Sequence, residues 1–335
     1  MAPTKLQSNH RNAQQEIIFH HPAIVPETTR WWQKSPSVLP TVGISCISAQ
    51  VRHNREMTVD TGVILCGGRG SRFVASVRAE LAAIERRHKW AELGPSLSTL
   101  SPEFIRDIEH TPKCLLPIKG EPLIAHKMRQ LKDAGITRFA LCAGRNAAAT
   151  LECIRTHHLD REFDITVTGR SLFHSDDLSY IARAAKQFES PQHLVVTAGD
   201  CLTTSRYADL IAHHLTHNRP LTIATTDRND DHVFVQDCVT SLQFIKDSCS
   251  HSSRAQREFP RCSPFVAAVQ YAWHQHTLYD HHDNVHYVNI NKLSDFERVI
   301  AMQDTLLPDA PYPRLSLVEY ACNPQPRSQQ RPLEP

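Results

Sequence analysis

The chain has 335 residues, 41% of them hydrophobic and 21% charged, and its formal net charge is +2 with histidine neutral. This composition is that of an ordinary soluble protein long enough to bury a full core, and the near balance of charge argues against nucleic acid as a partner. No apolar run approaches the roughly 18 residues of a membrane span, and the opening Met1-Ala2-Pro3-Thr4-Lys5-Leu6-Gln7 has no hydrophobic signal core, so a cytoplasmic protein with no membrane partner is expected.

Residues 1–58 carry Pro22, Pro26, Pro36 and Pro40, which interrupt any long periodic pattern, and read as a poorly organised extension. Within it, Trp31-Trp32 offer apolar surface for packing onto the domain or onto another chain, which leaves an oligomer open. Gly62-Val63-Ile64-Leu65-Cys66 is an apolar run suited to a strand covered on both faces. It leads into Gly67-Gly68-Arg69-Gly70-Ser71-Arg72-Phe73. The glycines let the backbone approach a ligand closely, and amides beside Ser71 and Arg72 suit a polyphosphate. The loop is not a Walker motif, because no Lys-Ser/Thr follows the glycines. It is a poor dinucleotide fingerprint, because Phe73 stands where a third glycine belongs.

Val77, Leu81, Ile84 and Trp90 predict a helix from Phe73 to about Pro95. Thr111 to Ile118 reads as an extended segment whose Lys113 is stiffened by Pro112 and Pro117. A helix follows from Leu123 to Ala134, with Gly135 as its stop. Strands are then predicted over Arg138–Ala143, Phe163–Val167, His193–Ala198 and Leu221–Thr225. Helices alternate with them over Ala147–Thr156, Asp177–Gln187 and Tyr207–His217. Such alternation argues a mostly parallel sheet with helices on both faces, with ligands outside the carboxyl ends of its strands. The glycine loop and Gly199-Asp200 both sit at such ends.

Beyond Thr226 the expectation is strand-rich: His232–Val235, Ser241–Lys246 and Phe265–Val269, with a polar loop over Asp247–Ser263. A short strand over Tyr287–Asn291 and a helix over Ser294–Gln303 precede a proline-rich tail, 307–335, which reads as disordered. The ten cysteines form no CxxC pair and read as buried reduced thiols. His213, His214 and His217 have ligand-like spacing, but without accompanying Cys or a HExxH pattern they read as a solvated helix face.

In sequence order these motifs resemble the nucleotidyltransferases that join a nucleoside triphosphate to a sugar phosphate or a similar acceptor. Leu65 to Phe73 is similar to their Leu-x-Gly-Gly-x-Gly-Thr-Arg-Leu loop, and Pro112 to Ile118 to their Pro-Lys-x-Leu-Leu-Pro-Ile segment. Gly120–Ile124, Gly135-Ile136, Gly199-Asp200, a strand ending in Lys246, and Asn289 to Phe296 follow in the family's order. The resemblance spans roughly residues 61 to 300. It implies a Rossmann-like three-layer αβα (GT-A-like) nucleotidyltransferase domain with a mostly parallel central sheet over 59–306. An extra helical insertion, about 74–110, stands over or beside the nucleotide.

The resemblance further implies Mg²⁺-dependent transfer of a nucleotidyl group to a phosphorylated acceptor, with release of pyrophosphate. Arg72, Lys113 and Asp200 become catalytic candidates. Leu65, Cys66, Gly67, Gly68, Arg69, Gly70, Ser71, Ala143 and Gly144 become nucleotide contacts, and Lys246 a clamp on the acceptor phosphate. Asp200 with Asn289 or Asn291 becomes the metal set, although Asn replaces the family's Asp and is a weaker ligand for a hard cation. Two alternatives stand beside this: a molybdopterin-type guanylyltransferase, and a nucleotide-binding protein that has lost turnover.

Overall fold

A computed structural model of the chain describes residues 58–68, 70–89, 99–169, 178–188, 192–217, 219–228, 231–260, 262–274, 279–282 and 286–307. The N-terminal extension up to residue 57, Arg69 and the tail beyond Leu307 lie outside them. Strands, in chain order, are β1 (Thr61–Leu65), β2 (Pro117–Ile118), β3 (Glu121–Pro122), β4 (Arg138–Cys142), β5 (Asp164–Thr168), β6 (His193–Ala198), β7 (Cys201–Thr203), β8 (Leu221–Arg228), β9 (Asp231–Ser241), β10 (Tyr279–His282) and β11 (Tyr287–Asn289). Helices are α1 (Ser71–Lys89), α2 (Pro102–Ile108), α3 (Leu123–Lys132), α4 (Ala147–Thr156), α5 (Leu159–Glu162), α6 (Leu178–Ala185), α7 (Tyr207–His217), α8 (Leu242–Glu258), α9 (Pro264–His274), α10 (Leu293–Ala301) and α11 (Gln303–Leu306).

The central sheet has seven strands in the order β10-β8-β9-β6-β1-β4-β5. All run in one direction except β9, which is antiparallel to both β6 and β8. Period-two alternation divides its side chains between two cores. Val63, Ala140, Leu194, Val196 and Cys238 face α6, α8 and α9. Ile64, Phe139, Leu141, Val195 and Val239 face α3, α4, α5 and α7. A third core joins α1 and α2 to α10 through Phe73, Val77, Phe104, Ile105, Phe296 and Val299.

Two expectations after Thr226 are corrected. Ser241–Lys246 is not a strand; β9 ends at Ser241, and its side chain caps α8 by accepting from the Phe244 amide at 3.0 Å. The expected polar loop is that helix, buried along a narrow stripe of Leu242, Ile245 and Ala255. Phe265–Val269 is helical as well: Pro264 opens α9, where it costs no hydrogen bond. A short apolar run buried against α8 looks the same to periodicity whether helix or strand.

His214 also departs from expectation. It is fully buried rather than solvated. One ring nitrogen meets His193 Nδ1 at 2.9 Å and the other meets Thr222 Oγ1 at 2.9 Å. Burial, followed by the neighbouring His193 and His213, pushes its pKa down to about 3, and burial lowers that of His193 too. The folded chain therefore keeps these imidazoles neutral while the unfolded chain protonates them near pH 6.5. The stability from His214 is whole above about pH 6.5, declines as pH falls below it, and is gone by about pH 3. Urea unfolding over pH 4 to 8 should show a loss approaching about 1.4 kcal/mol per pH unit for each such histidine, and His214→Gln should remove one histidine's share of that slope.

Candidate active site

The glycine loop leaves β1 at the carboxyl edge of the sheet and is tied there from three sides. The Cys66 amide donates to Cys142 O at 3.0 Å, the Gly199 amide to Leu65 O at 3.0 Å, and Asn146 Nδ2 to Cys66 O at 3.2 Å. Gly70 takes a φ of 58° and its carbonyl receives the Val74 amide at 2.9 Å, so the loop ends where α1 begins. Gly67, Gly68 and Gly70 thus border one cleft together with the start of α1.

The cleft, of about 280 Å³, is lined by Leu65, Cys66, Gly67, Gly68 and Gly70, by Phe73, Val74 and Arg78 of α1, by residues 109–114, by Arg145 and Asn146, and by Asp200. The expected stiff segment around Lys113 is interrupted by one 3₁₀ turn, Lys113–Leu115. The Lys113 ammonium forms an ion pair with Asp200 Oδ2 and donates to Ile290 O at 2.9 Å. The Ile290 amide in turn donates to Asp200 O at 3.0 Å. Lys113 and Asp200 thus meet across 87 residues of sequence. Gly199 makes the approach possible: a Cβ there would sit 3.2 Å from Cys114 Cβ, Cys66 Sγ and Leu65 O. The Cys66 thiol is held well above its ordinary pKa, first by its hydrogen bond with Cys114 and then by burial. Cys66, Cys114, Cys142 and Cys201 are all buried and form no disulfide.

The other expected residues divide. Ala143 is buried, and Gly144, with a φ of 54°, packs against Gly67, so both support the loop. Ser71 and Arg72 are exposed on the first turn of α1, and neither is among the residues lining the cleft. Lys246 is exposed on α8 and is not among them either; its expected place at a strand end is lost with that strand.

Sequence reasoning missed Arg78, Glu109, Arg145 and Asn146. Arg78 stands four residues after Val74, one turn along the same face of α1. Its Nε donates to Glu109 Oε1 at 2.7 Å, and this hydrogen bond is the main reason the Glu109 carboxyl sits below its usual range. A helical count from the glycine loop could have found Arg78. Asn146 follows a strand end and was open to the rule about carboxyl edges.

For a metal, no group of three or more His, Cys, Asp or Glu among the described residues could hold an ion. The oxygen donors at hand are the partly exposed Asp200 carboxylate and Asn289 Oδ1, which is buried without a hydrogen-bond partner. Asn289 pairs with Cys201, next to Asp200, across the β7–β11 ladder. This pair fits a hard cation that completes its shell from phosphate oxygens and water.

Fold and site together define a mostly parallel α/β domain whose glycine loop faces a lysine–aspartate pair across one cleft. Residues 104–260 match the family model of the MobA-like NTP transferase domain, and the resemblance to nucleotidyltransferases read from the motifs is borne out. The low-salt glycan biosynthesis nucleotidyltransferase Agl11 of Haloferax volcanii is 29% identical over 110 residues, which cover 32% of this chain and 30% of that protein. The chain thus spans less than a third of the length of that curated relative. Among solved structures, apo UDP-glucose pyrophosphorylase superposes with a TM-score of 0.51 at 10% identity, covering 75% of this chain and 100% of the other. That likeness is one of fold. No described helix is long and apolar enough to cross a membrane.

The packing at Gly199 has a direct consequence. Gly199→Ala should destabilise the protein by about 1–3 kcal/mol, because the added methyl must part the glycine loop from the lysine turn. Gly68→Ala, whose Cβ meets nothing within 4 Å, should stay within about 0.5 kcal/mol of the parent. Urea denaturation of the two variants checks the contrast.

Proposed function

We propose that the protein is a nucleotidyltransferase that moves a nucleoside monophosphate from a nucleoside triphosphate to a sugar phosphate or related phosphorylated acceptor. The observation that carries this reading is the Lys113–Asp200 pair at the mouth of the glycine cradle. An acceptor phosphate oxygen attacks the α-phosphorus in line. A new P–O bond forms, the bond to the β-phosphate oxygen breaks, and pyrophosphate departs with the electron pair. Such a transfer needs positioning and charge neutralisation more than covalent chemistry.

The amides of Gly67, Gly68 and Gly70 hold the triphosphate, and Arg78, steadied by Glu109, offsets charge at its leaving end. Lys113 exchanges part of its contact with Asp200 for the α-phosphate, and Arg145 and Asn146 border the space for the nucleoside. Mg²⁺, when bound, supplies charge neutralisation between the phosphates; Asp200 with Asn289 or Asn291 would hold it. Arg72, six residues before Arg78 on the same helix, is a second cation near the start of α1. The relative named for glycan biosynthesis supports a sugar phosphate as acceptor. Guanylyl transfer to a pterin phosphate is the second reading, favoured by the MobA-like match and by the Asn289-Ile290-Asn291 sequence.

Pyrophosphate release measured over a panel of triphosphates, sugar phosphates and molybdopterin tests both. Lys113→Ala and Asp200→Asn should each lower kcat by about 10²–10³-fold with the fold retained by circular dichroism. Arg78→Ala should chiefly raise the KM of the triphosphate, by roughly tenfold, for the loss of one charge-assisted contact. Full turnover in Lys113→Ala would sink the assignment.

A further inference from the structure

The cleft leaves one irregularity unused, in the strand beside Asp200. Pairing of β9 with β8 holds one register through Ile223–Cys238 and resumes in a shifted one at Thr225–Phe234. Val235, Gln236 and Asp237 therefore bulge opposite Ala224. Gln236 has a φ of 63°, a left-handed backbone that glycine adopts freely and glutamine seldom. Bulges of this kind re-aim a side chain and concentrate beside active sites, and a strained non-glycine residue persists only where its surroundings hold it.

What holds it is a buried polar knot one residue on. Asp237, on β9, accepts a hydrogen bond from Thr197 Oγ1 of β6, and one at 3.0 Å from the Tyr207 hydroxyl of α7. Lys127 Nζ of α3 donates to that hydroxyl at 2.8 Å and lies 3.5 Å from Asp237 Oδ1. Lys127, Thr197 and Asp237 are wholly inaccessible to solvent. Neither the ammonium nor the carboxylate can shift without stranding the other in the core, so Asp237 is fixed and Gln236 is fixed with it.

The Gln236 side chain reaches the residue next to Asp200, although Gln236 is not among the residues that line the cleft. Its Oε1 receives Cys201 Sγ at 3.5 Å, and Cys201 follows Asp200. Gln236 is half-buried, and its Nε2 has no protein partner among the described residues. Position in the sheet supplies the rest. The glycine loop and Arg145-Asn146 come from β1 and β4, Asp200 from the next strand, β6, and β9 is one strand further out. Gln236 therefore stands on the side of Asp200 away from the nucleotide cradle.

We propose that Gln236 is a specificity residue that binds hydroxyl groups of the phosphorylated acceptor, an inference that rests on the transfer reaction above. A neutral amide offers one donor group and one acceptor group at fixed spacing, which suits adjacent hydroxyls of a sugar or polyol.

The test compares Gln236→Gly, which fits the left-handed backbone without an amide, with Gln236→Asn, which keeps a shorter amide and tolerates that backbone. With hexose 1-phosphates and inositol 1-phosphate as acceptors, Gln236→Gly should unfold at the parent's temperature or higher. Its acceptor KM should rise about tenfold or more while the triphosphate KM stays within about twofold, and Gln236→Asn should fall between. An unchanged acceptor KM, or a lowered unfolding temperature in Gln236→Gly, overturns the proposal. Calorimetric titration with the same phosphates separates it from the transfer reaction. Binding to a parent protein that turns nothing over, lost in Gln236→Gly, overturns the reaction and upholds the contact. No binding to the parent overturns both.

Discussion

An ammonium group held between the Asp200 carboxylate and the backbone carbonyl of Ile290 joins three segments that are remote in sequence. Lys113 arrives from the turn after α2, Asp200 from the end of β6, and Ile290 from just beyond β11. The pair is only partly buried. Its net contribution to stability is therefore small, because the desolvation of both ions offsets most of their attraction. Its consequence is positional. With no Cβ at Gly199, the lysine turn closes against the glycine loop, and one cleft gains backbone amides on one wall and a cation with its counter-ion on the other.

A second buried pair beneath the sheet serves a different end. Lys127 and Asp237 are inaccessible to water, and Asp237 Oδ2 lacks a partner, so the pair is an expensive way to hold α3, α7, β6 and β9 together. An apolar substitute of the same volume would serve packing as well. What the charges add is directional: hydrogen bonds from Thr197 and Tyr207 set the orientation of Asp237 and, through the chain, of the bulge beside it. The site thus rests on one ion pair partly open to solvent and one sealed from it.

Much of this was legible in the sequence because the signals were local. The run Val63–Cys66 ending in glycines gave β1 and its loop, and Leu123 to Gly135 gave α3 with its stop. His193–Ala198 and Tyr207–His217 coincide with β6 and α7. Lys113 and Asp200 were legible through motif order, and the structure brings them into contact. What failed was decided by tertiary packing. The serine-rich stretch after Ser241 has poor helix propensity, yet a cap and three buried residues make it α8. Arg78 and Glu109 are 31 residues apart; a helical count reaches Arg78, but nothing near Glu109 announces it as the partner. The bulge at Gln236 was invisible because glutamine carries no sign of a left-handed backbone; a glycine would have.

The helices inserted between the glycine loop and Lys113 bear on whether the cradle is open. α1 grows directly from the loop, and its apolar face, with that of α2, packs sideways onto α10. Phe296 lies edge-on to Phe73 and stacked with Phe104 at centroid distances of 6.5 and 6.2 Å. The Ser76 hydroxyl accepts from the Leu293 amide at 2.8 Å, and the Thr99 amide donates to Glu297 at 2.8 Å. These contacts draw the insertion toward the C-terminal helix, beside the cleft. Its described helices therefore form a wall, with Val74 and Arg78 of α1 and residues 109–111 all lining the cleft. Because α10 follows Asn289 and Asn291 directly, the same packing fixes both the cationic wall and the strand that brings Ile290 to Lys113. A single apolar cluster thereby sets the width of the cleft from its two sides.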